Sequence, residues 1–293
     1  YLIERLKQAG IGHMFGVPGD FNLGFLHQVM ASDIKLITTC NELNAGYATD
    51  GYARINPVGA MVVTYAVGSL SAMNAVGGAF AENTPMVVIC GGPKIANYKK
   101  STMLHHTIGD YIKMSRMFED ITVASELLVN PETATKQIDN AIAQMLIHKR
   151  PVYLELPSDI ITIECDPPKP LNLENAIEID QETLDEVIEE ILERLTTAKK
   201  PAILAGIELH RYGIIDLFVK LLEKTGYPFA TMMLSKTVLT EDHPQFIGLY
   251  EGALGDELVR DRIESADSLL CLGTLMTDSN LGWYTGDLSK KKT

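Results

Sequence analysis

Three places in this chain of 293 residues carry side chains that can move protons. Glu42 stands in the run Cys40-Asn41-Glu42-Leu43-Asn44-Ala45-Gly46, where a short apolar strand gives way to an alanine-rich helix. A carboxylate at a helix N-terminus is favoured by the helix dipole whatever else it does. In an apolar setting the same group acquires a raised pKa and can share a proton with a ligand nitrogen. Both uses are open on the residues alone. Asp20 follows Pro18-Gly19. It reads either as a turn or cap residue for a helix starting near Asn22, or as a second acid at the same site. His105 and His106, in Leu104-His105-His106-Thr107-Ile108-Gly109-Asp110, cannot both face a core. Two imidazoles on one loop suit proton handling near neutral pH. Metal ligation is the competing use, although adjacent positions rarely ligate one ion and no third ligand stands out.

The elements that must hold these groups alternate in type. Helical patterns cover residues 1–8, 22–30, 42–54, 72–80 and 131–147. Short apolar strands are expected at 12–17, 34–38, 60–65, 86–90 and 151–156. Gly68-Ser69-Leu70-Ser71 reads as a Gly/Ser turn after the third strand. Apolar strands alternating with helices imply a mostly parallel sheet covered on both faces. Asp20, Glu42 and the histidine pair all follow strands, where such α/β domains gather ligands. Asp166-Pro167-Pro168-Lys169-Pro170 can continue neither a helix nor a central strand. The expected organisation is a first domain over 1–165, a linker over 166–180 and a second α/β domain over 181–293. In the second domain helices are expected at 181–195, 214–225 and 256–265, and strands at 202–205, 228–231 and 268–272. Three strands are fewer than the mean of roughly five to six per sheet, so an incomplete domain is expected. The fold class is thus α/β, with two doubly wound, mostly parallel sheets.

Composition narrows the function classes. A net charge of −13 argues against nucleic acid as a partner, because phosphate binding needs a basic face. No run of 18 apolar residues exists, so no membrane span is expected. The four cysteines, Cys40, Cys90, Cys165 and Cys271, lie far apart without a C-x-x-C pair. Scattered buried thiols in a cytoplasmic protein are the expectation. The first residue, Tyr1, already lies inside an amphipathic pattern, which points to a trimmed N-terminus. No G-x-G-x-x-G, Walker A, H-E-x-x-H or G-x-S-x-G pattern is present.

Several runs together resemble the thiamine diphosphate-dependent 2-oxo acid decarboxylases, most of all the pyruvate and indolepyruvate decarboxylase branch. They are Phe15-Gly16-Val17-Pro18-Gly19-Asp20-Phe21-Asn22-Leu23, Asn41-Glu42-Leu43-Asn44-Ala45-Gly46-Tyr47-Ala48-Thr49-Asp50-Gly51-Tyr52-Ala53-Arg54 and Val67-Gly68-Ser69-Leu70-Ser71-Ala72-Met73-Asn74. Leu104-His105-His106-Thr107 and Arg150-Pro151-Val152-Tyr153-Leu154-Glu155-Leu156-Pro157 complete the set. The resemblance covers the whole chain, most strongly to about residue 159. It implies a pyrimidine-binding domain in the first 165 residues, with Glu42 hydrogen-bonded to the pyrimidine N1′ of thiamine diphosphate and promoting its imino tautomer. It implies that Asp20, His105 and His106 position the 2-oxo acid and relay protons. Pro18, Gly19, Val67, Gly68 and Ser69 would lie near the pyrimidine. It further implies that diphosphate and Mg²⁺ are held by a third domain not represented here, with no metal ligand in this chain. The active site would lie between subunits of a homodimer or tetramer, and this chain would be an inactive N-terminal piece. No cysteine stands near Leu204-Ala205-Gly206-Ile207-Glu208-Leu209-His210, which weighs against substrate activation through a thiol there. Acetolactate synthase-like carboligases share the Glu42-type helix but lack the histidine pair. A non-catalytic scaffold would have no use for all four acid–base residues.

Overall fold

The computed structural model describes residues 1–100, 102–173 and 179–288 and divides the chain into two units, 1–177 and 178–293. The first unit begins with α1 (Leu2–Gln8), β1 (His13–Gly16), α2 (Leu23–Met30), β2 (Lys35–Thr38), α3 (Glu42–Ala53) and β3 (Gly59–Val63). It continues through α4 (Val67–Ala81), β4 (Met86–Gly92), α5 (Ile95–Lys100), α6 (Lys113–Glu119), β5 (Ala124–Leu127), α7 (Pro131–His148) and β6 (Val152–Pro157). Its strands form one parallel sheet in the order β2-β1-β3-β4-β6-β5. Every residue of β3, β4 and β6 is buried. A parallel strand covered by helices on both faces must be apolar throughout, which is why these runs show no alternation.

Two apolar clusters fill the space between sheet and helices. One joins α1, α2 and α7 through Leu6, Val29, Ile138, Ile142 and Met145 to Val62, Val87 and Ile89. The other joins α3, α4 and α6 through Ala45, Ala72, Val76 and Phe118 to Met61, Val63 and Val88. Each fully buried Val, Ile or Met side chain contributes about 1.5–3 kcal/mol. Asn130 caps α7 by accepting from Glu132 N at 3.1 Å, with Pro131 in the first turn.

Three features depart from the sequence expectation. α4 begins at Val67 rather than at 72, so the expected Gly/Ser turn is its first helical turn. Ala66, at φ +56°, makes the sharp change of direction between β3 and the helix, and Gly68 and Ser69 are buried by packing. The turn propensity of Gly and Ser is overridden by the space available to small residues. α5, α6 and β5 were not expected; β5 is a half-buried edge strand of mixed residues, Ala124-Ser125-Glu126-Leu127, with no clear pattern. Cys40 and Cys165 are exposed rather than buried, Cys90 is fully buried, and all four thiols are free. A thiol reagent on the folded protein is therefore expected to label Cys40 and Cys165 quickly and Cys90 only on unfolding. Peptide mass spectrometry checks this; fast labelling of Cys90 would contradict the burial of β4.

The second unit contains α8 (Gln181–Thr197), β7 (Pro201–Ala205), α9 (Glu208–Arg211), α10 (Ile215–Thr225), β8 (Phe229–Thr231), β9 (Phe246–Leu249), α11 (Glu257–Glu264) and β10 (Ser268–Leu272). Its parallel sheet runs β10-β7-β8-β9, four strands where the sequence suggests three. β9 escapes notice because Gly248, at φ +127°, breaks the apolar run, and the ladder to β8 shifts register between Phe229 and Ala230. No helix among the described residues is long and apolar enough to cross a membrane.

Candidate active site

The strand order reverses between β1 and β3: the chain steps outward from β1 to β2, then returns to the other side of β1 for β3 and β4. A crevice opens outside the carboxyl ends of parallel strands at such a point. The segments leaving β1, β2 and β3 at that edge carry Asp20, Glu42 and Gly68.

Asn41 fixes the position of Glu42. Its backbone is extended, at φ −157°, and its side chain accepts from Asn44 N at 2.9 Å. This cap starts α3 at Glu42 and places the carboxylate in the first turn, where the exposed amide N–H groups favour negative charge. Glu42 is half-buried in this unit rather than enclosed by apolar side chains, so the apolar setting expected from the sequence is only partly supplied here. A Cβ on Gly68 would come within 3.2 Å of Glu42 Oε1 and 3.2 Å of Thr64 Cγ2. A Cβ on Gly19 would come within 2.6 Å of Thr64 Cβ. The two glycines thus let Thr64, at the end of β3, pack directly against the segment after β1 and beside Glu42, with no room for a side chain at either position. Thr64 packs against both glycines, and its hydroxyl is buried and without a hydrogen-bond partner among the described residues.

Asp20 is set by its neighbour. Asn22 is fully buried, accepts from Gly19 N at 2.9 Å and donates to Val17 O at 3.0 Å, closing the turn after β1. The helix cap position belongs to Asn22, and the Asp20 carboxylate turns instead to His105, with Oδ2 2.7 Å from Nε2. His105 lies stacked on Phe21 at 5.3 Å and 21° between planes, and its other neighbour His106 meets it edge-on at 5.0 Å. His106 takes φ +65°, a turn conformation in which histidine is enriched. Asp20 and His105 are more than half exposed, at 55% and 58%. An ion pair so exposed is worth about 1 kcal/mol or less. Asp20→Asn is therefore expected to lower unfolding stability by less than about 1 kcal/mol while changing the environment of His105; a large loss of stability in urea unfolding would contradict this placement.

Of the remaining sequence-predicted residues, Pro18 and Val67 are exposed and Gly19 is half-buried along the crevice. Ser69 departs from expectation. It is fully buried, and its hydroxyl donates to Cys90 Sγ at 3.0 Å, so it faces the core and not the crevice. One residue further along a helix turns a side chain by about 100°, which sets Ser69 toward β4 while Gly68, equally buried, lies against Glu42 and Thr64. No group of three or more His, Cys, Asp or Glu side chains among the described residues could hold a metal ion, so the histidine pair gains no third ligand there.

Sequence reading missed Thr64, which nothing marks but its place at the end of β3. It also passed over Glu155, noticed only as part of a matching run. Glu155 is fully buried and accepts from Tyr98 Oη at 2.5 Å and Tyr153 Oη at 3.1 Å. Burial pushes its carboxyl up to about 7, against the pull of the two tyrosine hydrogen bonds. Burial and the nearby Glu155 push the Cys90 thiol up to about 12. A charged residue inside an otherwise apolar strand is the signal that could have found it.

A parallel α/β sheet with a carboxylate heading the helix after its second strand accords with the class that the sequence matches show: the chain belongs to the thiamine pyrophosphate enzyme family. Residues 1–114 match its N-terminal TPP binding domain and residues 188–293 its central domain. Among individual proteins, the chain is 40% identical over 299 residues to pyruvate decarboxylase 1 of Arabidopsis thaliana. It is 38% identical over 300 residues to pyruvate decarboxylase 2 of Nicotiana tabacum and 39% identical over 300 residues to pyruvate decarboxylase 2 of Oryza sativa subsp. japonica. Each alignment takes in 100% of this chain and 49% of the relative. The chain thus spans about half the length of the curated relatives it matches.

Proposed function

We propose that the chain supplies the pyrimidine-holding and proton-handling part of a thiamine diphosphate- and Mg²⁺-dependent decarboxylase. The reaction converts a 2-oxo acid of the pyruvate or indolepyruvate type to an aldehyde and CO₂. The observation that carries this reading is the Asp20–His105 pair with His106 beside it, at the same strand edge as Glu42. The relatives, named as pyruvate decarboxylases, support the same reaction class and make pyruvate the first substrate to try.

When bound, thiamine diphosphate supplies a sink for the electrons of the carbon–carbon bond that breaks as CO₂ leaves. The chain's own residues hold the ring and handle protons. Glu42 holds a proton against a ring nitrogen at the N-terminus of α3. Loss of CO₂ from a 2-oxo acid requires uptake of one proton at the former keto carbon to give the aldehyde. His105, oriented by Asp20 and Phe21, is placed to hold that proton, and His106 offers a second imidazole within ring contact. Diphosphate and Mg²⁺ fall to residues beyond this cluster, and the chain by itself is inactive in this reading. Asp20, His105 and His106 are exposed here, and decarboxylation benefits from a site closed to water. A second copy in a homodimer or tetramer is the proposed cover.

The test is made on the complete protein with thiamine diphosphate and Mg²⁺, following CO₂ and aldehyde from pyruvate, indolepyruvate, phenylpyruvate and a branched-chain 2-oxo acid. Release of aldehyde and CO₂ in equal amounts from at least one is expected. Condensation to an acetohydroxy acid would assign a carboligase instead. No turnover of any of the four would overturn the reading.

A further inference from the structure

Glu155 stands outside the proton-handling cluster, yet its hydrogen bonds reach toward both parts of the site. On one side Tyr98 Oη donates to Glu155 Oε1 at 2.5 Å. Tyr98 belongs to α5, the short helix just before the histidine loop, and its ring packs on Tyr111 at 5.4 Å, just after that loop. Tyr111 packs on Tyr65 at 6.1 Å, Tyr65 meets Phe21 edge-on at 5.7 Å, and Phe21 carries His105 at 5.3 Å. The loop bearing His105 and His106 is therefore bracketed by two rings, one of them bonded to Glu155. Asp159, four residues on, accepts from Ile95 N at 3.0 Å, so the first turn of α5 is tied to the segment after β6 as well.

On the other side Tyr153 Oη donates to Glu155 Oε2 at 3.1 Å and lies 3.5 Å from Ser69 Oγ. Ser69 sits in the first turn of α4, next to Gly68, which packs so close to Glu42 that a Cβ there would come within 3.2 Å of Oε1. One buried carboxyl thus links the segment that carries the histidines to the turn that faces Glu42.

We propose that Glu155 is a positioning residue for the site: through Tyr98 it fixes the histidine loop, and through Tyr153 and Ser69 it fixes the first turn of α4 beside Glu42. The proposal deepens the decarboxylase reading by adding a residue that acts on His105 without touching substrate. As a carboxylate, Glu155 accepts from both tyrosines. As a carboxylic acid it has one hydrogen to donate, so one of the two tyrosine hydroxyls must accept from it and turn its own hydrogen elsewhere; Tyr153 has Ser69 Oγ within 3.5 Å for this. The titratable groups around Glu155 are Tyr98 from α5, Tyr153 from its own strand, Cys90 from β4 and Tyr65 from the segment after β3. All four are neutral near pH 7, because burial raises each of them. The change of charge in this cluster near neutral pH therefore rests on Glu155 itself.

The experiment compares wild type, Glu155→Gln and Tyr98→Phe in the complete protein. Tyr98→Phe removes a single hydroxyl and keeps the ring stack, so it tests the link should the glutamine variant fold poorly. Each protein is treated briefly with diethyl pyrocarbonate across neutral pH, and the rate at His105 is read by tandem mass spectrometry. His27 on α2 and His148 on α7 serve as internal references. Both variants are expected to raise the rate at His105 at least threefold relative to the references, as the imidazole is freed from Asp20 and Phe21. With an active holoenzyme, kcat is expected to fall about tenfold or more in each variant with KM within about twofold, and the double variant to lose little more than either single one. Unchanged relative rates at His105 in both folded variants would overturn the proposal. The labelling readout needs no turnover, so it decides this question even if the protein proves not to decarboxylate 2-oxo acids.

Discussion

Glu42→Gln in the complete protein is expected to cut turnover by at least about a hundredfold, within the roughly 10²–10⁴ range of positioned acid–base groups. Glutamine keeps the shape of the side chain and can still fill the space beside Gly68, but it cannot hold an exchangeable carboxyl proton against a ring nitrogen. The fold should barely notice. Glu42 heads α3 in a helix already capped by Asn41, so losing its charge costs the dipole contribution of about 0.3–1 kcal/mol. The expected signature is therefore a collapse of kcat with a thermal midpoint shifted by only a few degrees. The measurement is steady-state decarboxylation at saturating 2-oxo acid, with the cofactor titrated over a wide range. Near-normal kcat would remove Glu42 from the mechanism. Loss of activity recovered by excess cofactor would make it a binding group only.

Glu155 makes the second large prediction, on stability and not on rate. Its carboxyl is pushed from the usual 4.5 up to about 7 by burial. Between these values the folded chain binds more protons at this residue than the unfolded chain, so stability falls as pH rises through the interval. Each unit is worth about 1.4 kcal/mol, so the contribution lost is on the order of 3 kcal/mol. Below the lower value and above the upper one the effect of this group is flat. Glu155→Gln has no carboxyl to ionise. The difference in unfolding free energy between the variant and wild type should shift in favour of the variant by that order between about pH 5 and about pH 8. Urea unfolding at several pH values measures it. Parallel pH profiles for the two proteins would mean that Glu155 is ionised throughout and that its environment is more polar than its burial suggests.

Much of this protein is legible in its sequence. Asn41-Glu42 marks a helix start through cap chemistry and charge, both local, and α3 begins there. Asn130-Pro131 does the same for α7. The unbroken apolar runs at β3 and β4 announce a sheet buried on both faces, because only such strands have no polar side to show. His105 and His106 declare themselves by being two, since neither can be placed in a core without stranding the other.

Local sequence is a poor guide where packing decides. Gly68-Ser69 carries the propensity of a turn but lies in a helix, because small residues let α4 approach β3 and α3 closely. β9 is a strand despite Gly248, because β8 offers it an unpaired edge. Thr64 has no mark in the sequence at all; its hydroxyl is buried because Gly19 and Gly68, 45 and 4 residues away, have no side chains to keep the ends of β1 and β3 from packing on it.

The amino-acid order by itself thus determined the α/β class and the family and singled out Asp20, Glu42, His105 and His106 as the candidates for proton handling, because residue type, cap chemistry and hydrophobic run length are properties of neighbours along the chain. The tertiary structure alone decided that Asp20 turns to His105, that Ser69 faces β4 while Gly68 packs against Glu42, and that burial pushes the carboxyl of Glu155 up to about 7. Those outcomes depend on distances between residues some 20 to 85 positions apart and on how much water is left around them, and neither is written in local order.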